Sequence, residues 1–478
     1  MLMGYGAGAW RRTALLAVAG TAGALLVVRG GALGSAAMWG GGCLLMTLMW
    51  GGSLREFGRR PPGPGDRAAV ILTTIVLCAL FVLSPGPRSA DAYVLMGRGG
   101  MLSVQGADPY RSGPVRFPAA GADEPVASDR EVRAHAPGLA STSALVTWIG
   151  NGKPAASLLV FRLLMMLIHF ANGLLAAWIA GRWSAGIAGN GGRHVTPLRA
   201  ALFILWNPLL LTQSIGEIHG GSLALFWMLL AVGLFQGRDP LMSAASAGMS
   251  ASIGWIGAPG VALLAAQRRQ SGGTRAGVVY ALLAVGVVLI AFGPYQPGIP
   301  AASLPIPWRA ASIPGGLASL AGEGASAIAS AVGMAVTLPL RESFTVIAWG
   351  ALAIWCFRLM RRRDPLQRRV ESLSFFMLVC VLSASPSLRP GDAILPAGLA
   401  AVIACVAVRR AAAVASVALL CIDYPLIGAV RGIPLPPGPV PHLAAAVAVV
   451  VPITYILLRL RRRRDAGLDT SPVEGPNG

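Results

Sequence analysis

The sequence predicts an all-α polytopic integral membrane protein, and three observations predict it. Hydrophobic residues make up 55% of the 478 residues and charged residues only 12%. The apolar letters come in long runs, not at a helical or strand period, which is how membrane spans read. The formal charge of +20 is carried by 38 arginines and one lysine, Lys153, gathered where apolar runs end. Arginine in that position orients spans, so the charge points to a membrane and not to nucleic acid.

With about 15 to 22 apolar residues per span, the runs fall at 13–28, 32–51, 68–84, 155–180, 198–214, 219–236, 276–293, 343–359, 372–385, 393–408, 411–428 and 441–458. The first follows Arg11 and Arg12 without a convincing cleavage site, so a retained span is expected there and not a signal peptide. Between Leu241 and Gln267 the chain is apolar but broken at Gly254 and at Gly257-Ala258-Pro259. Two short helices are expected there, returning the chain to the side it left. The total is about 12 to 14 transmembrane segments, with both termini cytoplasmic. Inside segments then hold 26 of the 39 Lys and Arg, as the positive-inside rule requires. Residues 1–464 read as one transmembrane domain, and 465–478 as a disordered cytoplasmic tail. Six cysteines, Cys43, Cys78, Cys356, Cys380, Cys405 and Cys421, all lie in apolar runs with no C-x-x-C pair. Neither disulfides nor a zinc site are expected.

The outside holds two long segments, 85–154 and 294–342, and shorter ones around 213–220, 385–396 and 431–441. Nearly all chemistry-capable residues lie there. The first contains "SADAYVLMGRGGMLSVQGADPYRSGP", residues 89–114. Asp91 comes eight residues after Leu83, across Ser84-Pro85-Gly86-Pro87, and so belongs at headgroup depth. An aspartate there can act on a substrate whose phosphate lies among the headgroups while its tail stays in the bilayer. A lipid-phosphate sugar donor has that shape. The chemistry suits a lone carboxylate: inverting glycoside hydrolysis needs an acid and a base, but a phosphate leaving group makes the acid dispensable. What remains is one base near the acceptor hydroxyl and cations that hold the departing phosphate. Arg98, Arg111 and Arg116 are candidates for the cations.

Other readings of these residues stand beside the chemical ones. Asp91 also suits a helix cap, and Asp108-Pro109 is a turn signature. Tyr93 and Tyr110 also suit interfacial anchors. Arg389, at the outer end of a late span, either grips the donor phosphate bidentately or snorkels to headgroups. Asp423 lies inside an apolar run, where an ionisable group suggests function, although "IDYPLIG" also suits a structural pairing. Arg162 and His169 read as packing or interface residues, and Trp308 and Arg309 as possible lining of a sugar site. Asp91 and Asp108 could jointly hold a divalent ion at the donor phosphate, but nothing in their spacing demands one; no cofactor is expected, and a divalent metal stays an open alternative.

The string Asp91-x-Tyr93, Gly97-Arg98, Gly106-x-Asp108-Pro109-Tyr110 and Gly113-Pro114, after a third span, resembles the actinobacterial polyprenyl-phosphomannose-dependent α-1,6-mannosyltransferases. So do "WNPLLLTQSIGEIHGGSLAL", with Asn207-Pro208 and His219, and Ser385-Pro386 near the outer end of a late span. The resemblance implies the C-type glycosyltransferase fold in the plasma membrane. It also implies a mannosyl donor on polyprenyl phosphate, used on the extracytoplasmic face, and an acceptor in the mannan core of lipomannan and lipoarabinomannan. By position Asp91 matches the family's acidic residue after the third span, the expected base. Tyr93, Asp108, Tyr110, Glu217 and His219 would meet substrate; Arg98, Arg111, Arg116 and Arg389 would hold the donor phosphate. The chain departs from the family where His-Asn-acid becomes His219-Gly220-Gly221, with Glu217 a candidate for the lost carboxylate. It departs again where an aromatic Pro-Trp-Tyr becomes Arg389-Pro390-Gly391-Asp392. Two rivals remain open: a transporter or flippase, and a catalytically silent relative that binds a lipid or a partner enzyme. Transporters usually place ionisable residues mid-membrane and carry inverted repeats, neither of which stands out.

Overall fold

The structure, a computed structural model, describes residues 4–33, 35–59, 62–85, 87, 90–109, 136–186, 195–293, 295, 365–384, 390–403 and 405–430, with single helical positions at Gly350, Ile354, Arg358 and Thr454. The described residues form helices and no strand.

Helices α1 (Gly4–Leu33) and α2 (Ala36–Glu56) form a hairpin at Ser35, whose side chain accepts from the Met38 amide. Glycines let them touch: a Cβ on Gly23 would lie 2.8 Å from the Gly42 carbonyl oxygen, the close approach that small residues permit between membrane helices. Helix α3 (Pro64–Val82) opens on Pro64 with Asp66 at its third position, bonded back to the Gly63 amide at 2.9 Å. Thr13 donates to the same carboxylate at 3.0 Å, and Arg12 lies 3.8 Å from Glu56. These contacts tie one end of the first three helices together, here termed the base.

At the other end, α4 (Ala90–Ser103) packs tightly on α5 (Pro137–Ile149). Only glycine fits at position 99, because a Cβ there would lie 2.2 Å from Thr147 Oγ1, and Ser143 Oγ donates to the Leu95 carbonyl. Helix α6 (Pro154–Gly186) crosses behind them. Helix α7 (Pro197–Leu205) and the segment Pro208–Gly216, which opens with α8 (Pro208–Leu211), are bent by 52° relative to each other. The bend has a local cause. Pro208 cannot donate to the preceding turn, and the Asn207 side chain instead caps α8, its Oδ1 accepting from the amides of Leu209 and Leu210. The run 198–214 is therefore bent and not a straight helix.

Helices α9 (Gly221–Gln236), α10 (Pro240–Ile253) and α11 (Ala258–Phe292) follow. The expected break at Gly254 is present, with an extended backbone there. Helix α11 is not a straight rod. Gly273 has φ 83°, and a Cβ on Gly277 would sit 3.0 Å from the Ala265 carbonyl oxygen. Residues twelve apart in a straight helix would be about 18 Å apart, so the chain folds back at Gly273. Ser243 and Tyr280 meet at 2.9 Å, which aligns α10 with the second arm of α11.

Helix α12 (Leu366–Ala384), a 3₁₀ turn Pro390–Ala393, α13 (Ile394–Ala400) and α14 (Val406–Val430) complete the described bundle. The boundary expected near 409–410 moves. Spans 393–408 and 411–428 become a seven-residue helix and a long one, so Arg409 and Arg410 lie in the first turns of α14 and not in a connecting loop. Arg409 is buried.

Against the 12 to 14 expected, four helices among the described residues are long and apolar enough to cross a membrane: Arg12–Gly30, Pro64–Val82, Pro154–Ser184 and Ala258–Phe292. The bent pair makes a fifth if its legs are one span. Leu15, Val18, Leu72, Leu167, Leu174 and Ile290 on these helices are exposed, an apolar surface suited to lipid. Segment 294–342, apart from Tyr295, and the tail 465–478 lie outside the described residues.

Candidate functional site

The end of the bundle opposite the base gathers three polar groups. The first is centred on Arg162, only 3% exposed in the body of α6. Its Nη1 donates to the Val82 carbonyl at 3.2 Å and to that of Ser84, and its Nη2 to that of Pro85 at 2.6 Å. The last turn of a helix leaves its carbonyls without intrahelical partners. Arg162 satisfies those at the end of α3 and in the turn leading towards Asp91, which lies in the first turn of α4. The same guanidinium is within electrostatic range of Glu217 and Tyr93. One buried cation therefore joins the end of α3, the start of α4 and the loop after α8.

That loop is the second group. It opens with a π-helical turn, Thr212–Gly216, a rare geometry found often at functional sites. Between Glu217 and His219, the buried Ile218 has φ 58°. A β-branched residue in the left-handed region stores about 1–3 kcal/mol, offset here by packing and by the His219 amide bonding the Gln213 carbonyl at 2.8 Å. Beneath it, Asn172 donates to the Ser222 carbonyl at 3.0 Å, and Ser214 and Ser222 share a hydrogen bond.

His219 meets the turn 390–393. The Gly221 amide donates to its Nδ1 at 3.2 Å, so the neutral ring carries its proton on Nε2, and Nε2 lies 3.9 Å from Asp392 Oδ1. That distance makes an ion pair when the ring is protonated, but it is too long for a direct hydrogen bond. Both side chains keep some exposure, 21% and 33%. The two glycine-bearing stretches where the chain departs from its resemblance thus face each other. A Cβ on Gly391 would lie 2.2 Å from Cγ and Cδ2 of His219, and one on Gly221 would lie 2.7 Å from the Gly391 carbonyl oxygen. The glycines admit the contact, and the carboxylate that reaches His219 comes from Asp392. Gly391→Ala is therefore expected to cost about 1–3 kcal/mol and to displace His219, lowering the melting temperature of the detergent-solubilised protein. Gly40→Ala, where a Cβ meets nothing within 4 Å, should leave it unchanged.

The third group joins the α4–α5 pair to Tyr295. The Tyr295 hydroxyl donates to the Pro137 carbonyl and lies by Ser141 Oγ, both at 3.1 Å. Burial pushes this phenol above its ordinary pKa, against the Ser141 hydrogen bond, while Asp108 pushes it the same way and Arg98 opposes. Buried Arg98 and half-buried Asp108 are thereby neighbours of one hydroxyl. Asp108 lies two residues after Gly106, where φ is 61°.

Of the expected site residues, Tyr93 and Glu217 converge on Arg162, Arg98 and Asp108 on Tyr295, and His219 stands with Asp392. Tyr110, Arg111, Arg116 and Arg389 lie outside the described residues, as do Trp308 and Arg309. Sequence reasoning missed three participants. Arg162 carried a signal, being an ionisable residue inside an apolar run; Asp392 and Tyr295 carried none beyond their place near span ends. Among the described residues, no three His, Cys, Asp or Glu side chains gather as a metal site would need.

A family model described as alpha-(1->6)-mannopyranosyltransferase, N-terminal domain, matches residues 1–268. No curated protein and no solved structure matches the chain.

Proposed function

The chain belongs to the alpha-(1->6)-mannopyranosyltransferase family, and from that premise we propose that it takes mannose from a polyprenyl-phosphate donor and adds it to a mannan-type glycolipid or glycan acceptor. The reaction takes place at the extracytoplasmic face of the plasma membrane, in a C-type glycosyltransferase fold of 12 to 14 spans with both termini cytoplasmic. The acceptor's primary hydroxyl attacks the anomeric carbon while the bond from that carbon to the phosphate oxygen breaks. The oxygen keeps the bonding pair, and the hydroxyl proton passes to Asp91. An α product made with inversion requires a β-linked donor.

The cations that stabilise the leaving phosphate are drawn from Arg98, Arg111, Arg116 and Arg389. Charge–charge stabilisation of this kind is usually the largest contribution to such a transfer. Tyr93, Asp108, Tyr110, Glu217 and His219 line the sugars. The observation that carries this reading is Arg162: two stretches singled out separately in the sequence, 91–98 and 213–221, meet at one guanidinium beside the turn that leads to Asp91.

The test is an assay of membranes containing the full chain, supplied with labelled polyprenyl-phosphomannose and a short α-1,6-mannoside. The expected product is the acceptor lengthened by one α-1,6-linked mannose. Transfer from a nucleotide sugar alone would overturn the donor, and absence of transfer from every polyprenyl-phosphate sugar would overturn the activity.

A further inference from the structure

A second basic site lies at the base of the bundle, away from the groups just described. Arg409, in the first turn of α14, is only 9% exposed, and its Nη1 has no hydrogen-bond partner among the described residues. Arg199, at the third position of α7, and exposed Arg410 both lie within electrostatic range of it. The Arg199 guanidinium rests against the backbone just past α2, with its Cζ 3.1 Å from where a Cβ on Gly58 would be. Glu371 is the acid within range of Arg409, and among the described residues no carboxylate comes within ion-pair distance of the three arginines.

This arrangement is unfavourable as it stands. Three guanidinium groups repel one another, and one is buried with a donor unspent, a cost that proteins normally meet with a counter-charge. Two of the arginines also sit in first turns, where the helix dipole disfavours cations. Thr196, capping α7, makes no side-chain hydrogen bond to the helix. Apart from Glu371 and the Cys405 thiol, the charged groups within range of Arg409 are cations. An oxyanion with several acceptor oxygens resolves all of these costs at once, and a phosphate group fits guanidinium geometry best.

We propose that Arg199, Arg409 and Arg410 form a binding site for a phosphate group at the base of the bundle. Its buried floor is Arg409 and its mouth Arg410. Two sources offer this chemistry: the headgroup of an anionic phospholipid, reached from the leaflet on that side, and free phosphate.

The test is thermal unfolding of the full-length protein in zwitterionic detergent, with added phosphatidylglycerol, phosphatidylcholine, inorganic phosphate, or sodium chloride at matched ionic strength. Phosphatidylglycerol or phosphate should raise Tm by about 2–4 °C, and phosphatidylcholine and chloride should not. A shift with phosphatidylglycerol alone identifies the headgroup; a shift with inorganic phosphate identifies the free anion. Arg409→Gln should abolish the shift. Arg410→Gln, at an exposed position where folding is not at risk, should at least halve it. No shift with either ligand, or a full shift retained in Arg410→Gln together with Arg199→Gln, overturns the proposal. The sugar-transfer assay is independent of this readout, so either can fail alone.

Discussion

Asp91→Asn is expected to reduce mannosyl transfer by about 10²–10⁴-fold, the range that a positioned general base contributes, with helix content unchanged and stability lowered by no more than about 1 kcal/mol. The substitution keeps shape and hydrogen-bonding capacity and removes the charge, and with it the capacity to take a proton. It also separates the two roles open to this residue. Asparagine caps a helix as well as aspartate does, so a capping Asp91 would tolerate the change and transfer would continue near the wild-type rate. The helix α4 begins at Ala90, which puts Asp91 within its first turn and not ahead of it. A carboxylate there is also favoured by the helix dipole, so Asp91→Ala should cost a few tenths to about 1 kcal/mol of stability whichever role holds. The decisive comparison is therefore activity in Asp91→Asn, measured in membranes with polyprenyl-phosphomannose supplied. Retained transfer would remove Asp91 as the base.

Hydropathy and breakers are local signals, and what they can report was legible. Span 68–84 became α3, 155–180 became α6, and the break at Gly254 fell where glycine and proline placed it. The bend at Asn207-Pro208 was visible as a punctuation mark, but its 52° angle depends on the bundle packed around it. The boundary at 409–410 was misplaced because paired arginines normally mark a span end, whereas here Arg409 is buried in a helix. Partner choice was the least legible. Gly220-Gly221 and Gly391-Asp392 looked like missing polar and aromatic groups when read one loop at a time. In three dimensions Gly221 and Gly391 are what allow the loops to touch, and Asp392 is what reaches His219. A composition-based reading counts side chains present, and a glycine required by a neighbour's position leaves no such trace.

Arg162→Met tests how the end of α3 is held. Methionine keeps much of the buried volume but takes the donor from the carbonyls of Val82, Ser84 and Pro85, of which Val82 is buried and the other two are partly open to water. A buried acceptor left unsatisfied costs about 1–3 kcal/mol, and with water able to replace the donor at Ser84 and Pro85 the loss is expected to be about 1–3 kcal/mol. The consequence for transfer should be larger than stability alone predicts. The turn that relaxes is the one leading to Asp91, and a displacement of about 1 Å from reacting geometry costs around 10²-fold. Arg162 is thus a positioning residue: kcat should fall while KM for the donor changes little, because the arginines proposed to hold the phosphate are elsewhere. Arg162→Lys should restore part of the stability and little of kcat, since an ammonium cannot reproduce the planar fork that spans three carbonyls. A purely structural role would give a lower melting temperature in both variants with kcat unchanged per folded molecule, and that result would detach Arg162 from the site.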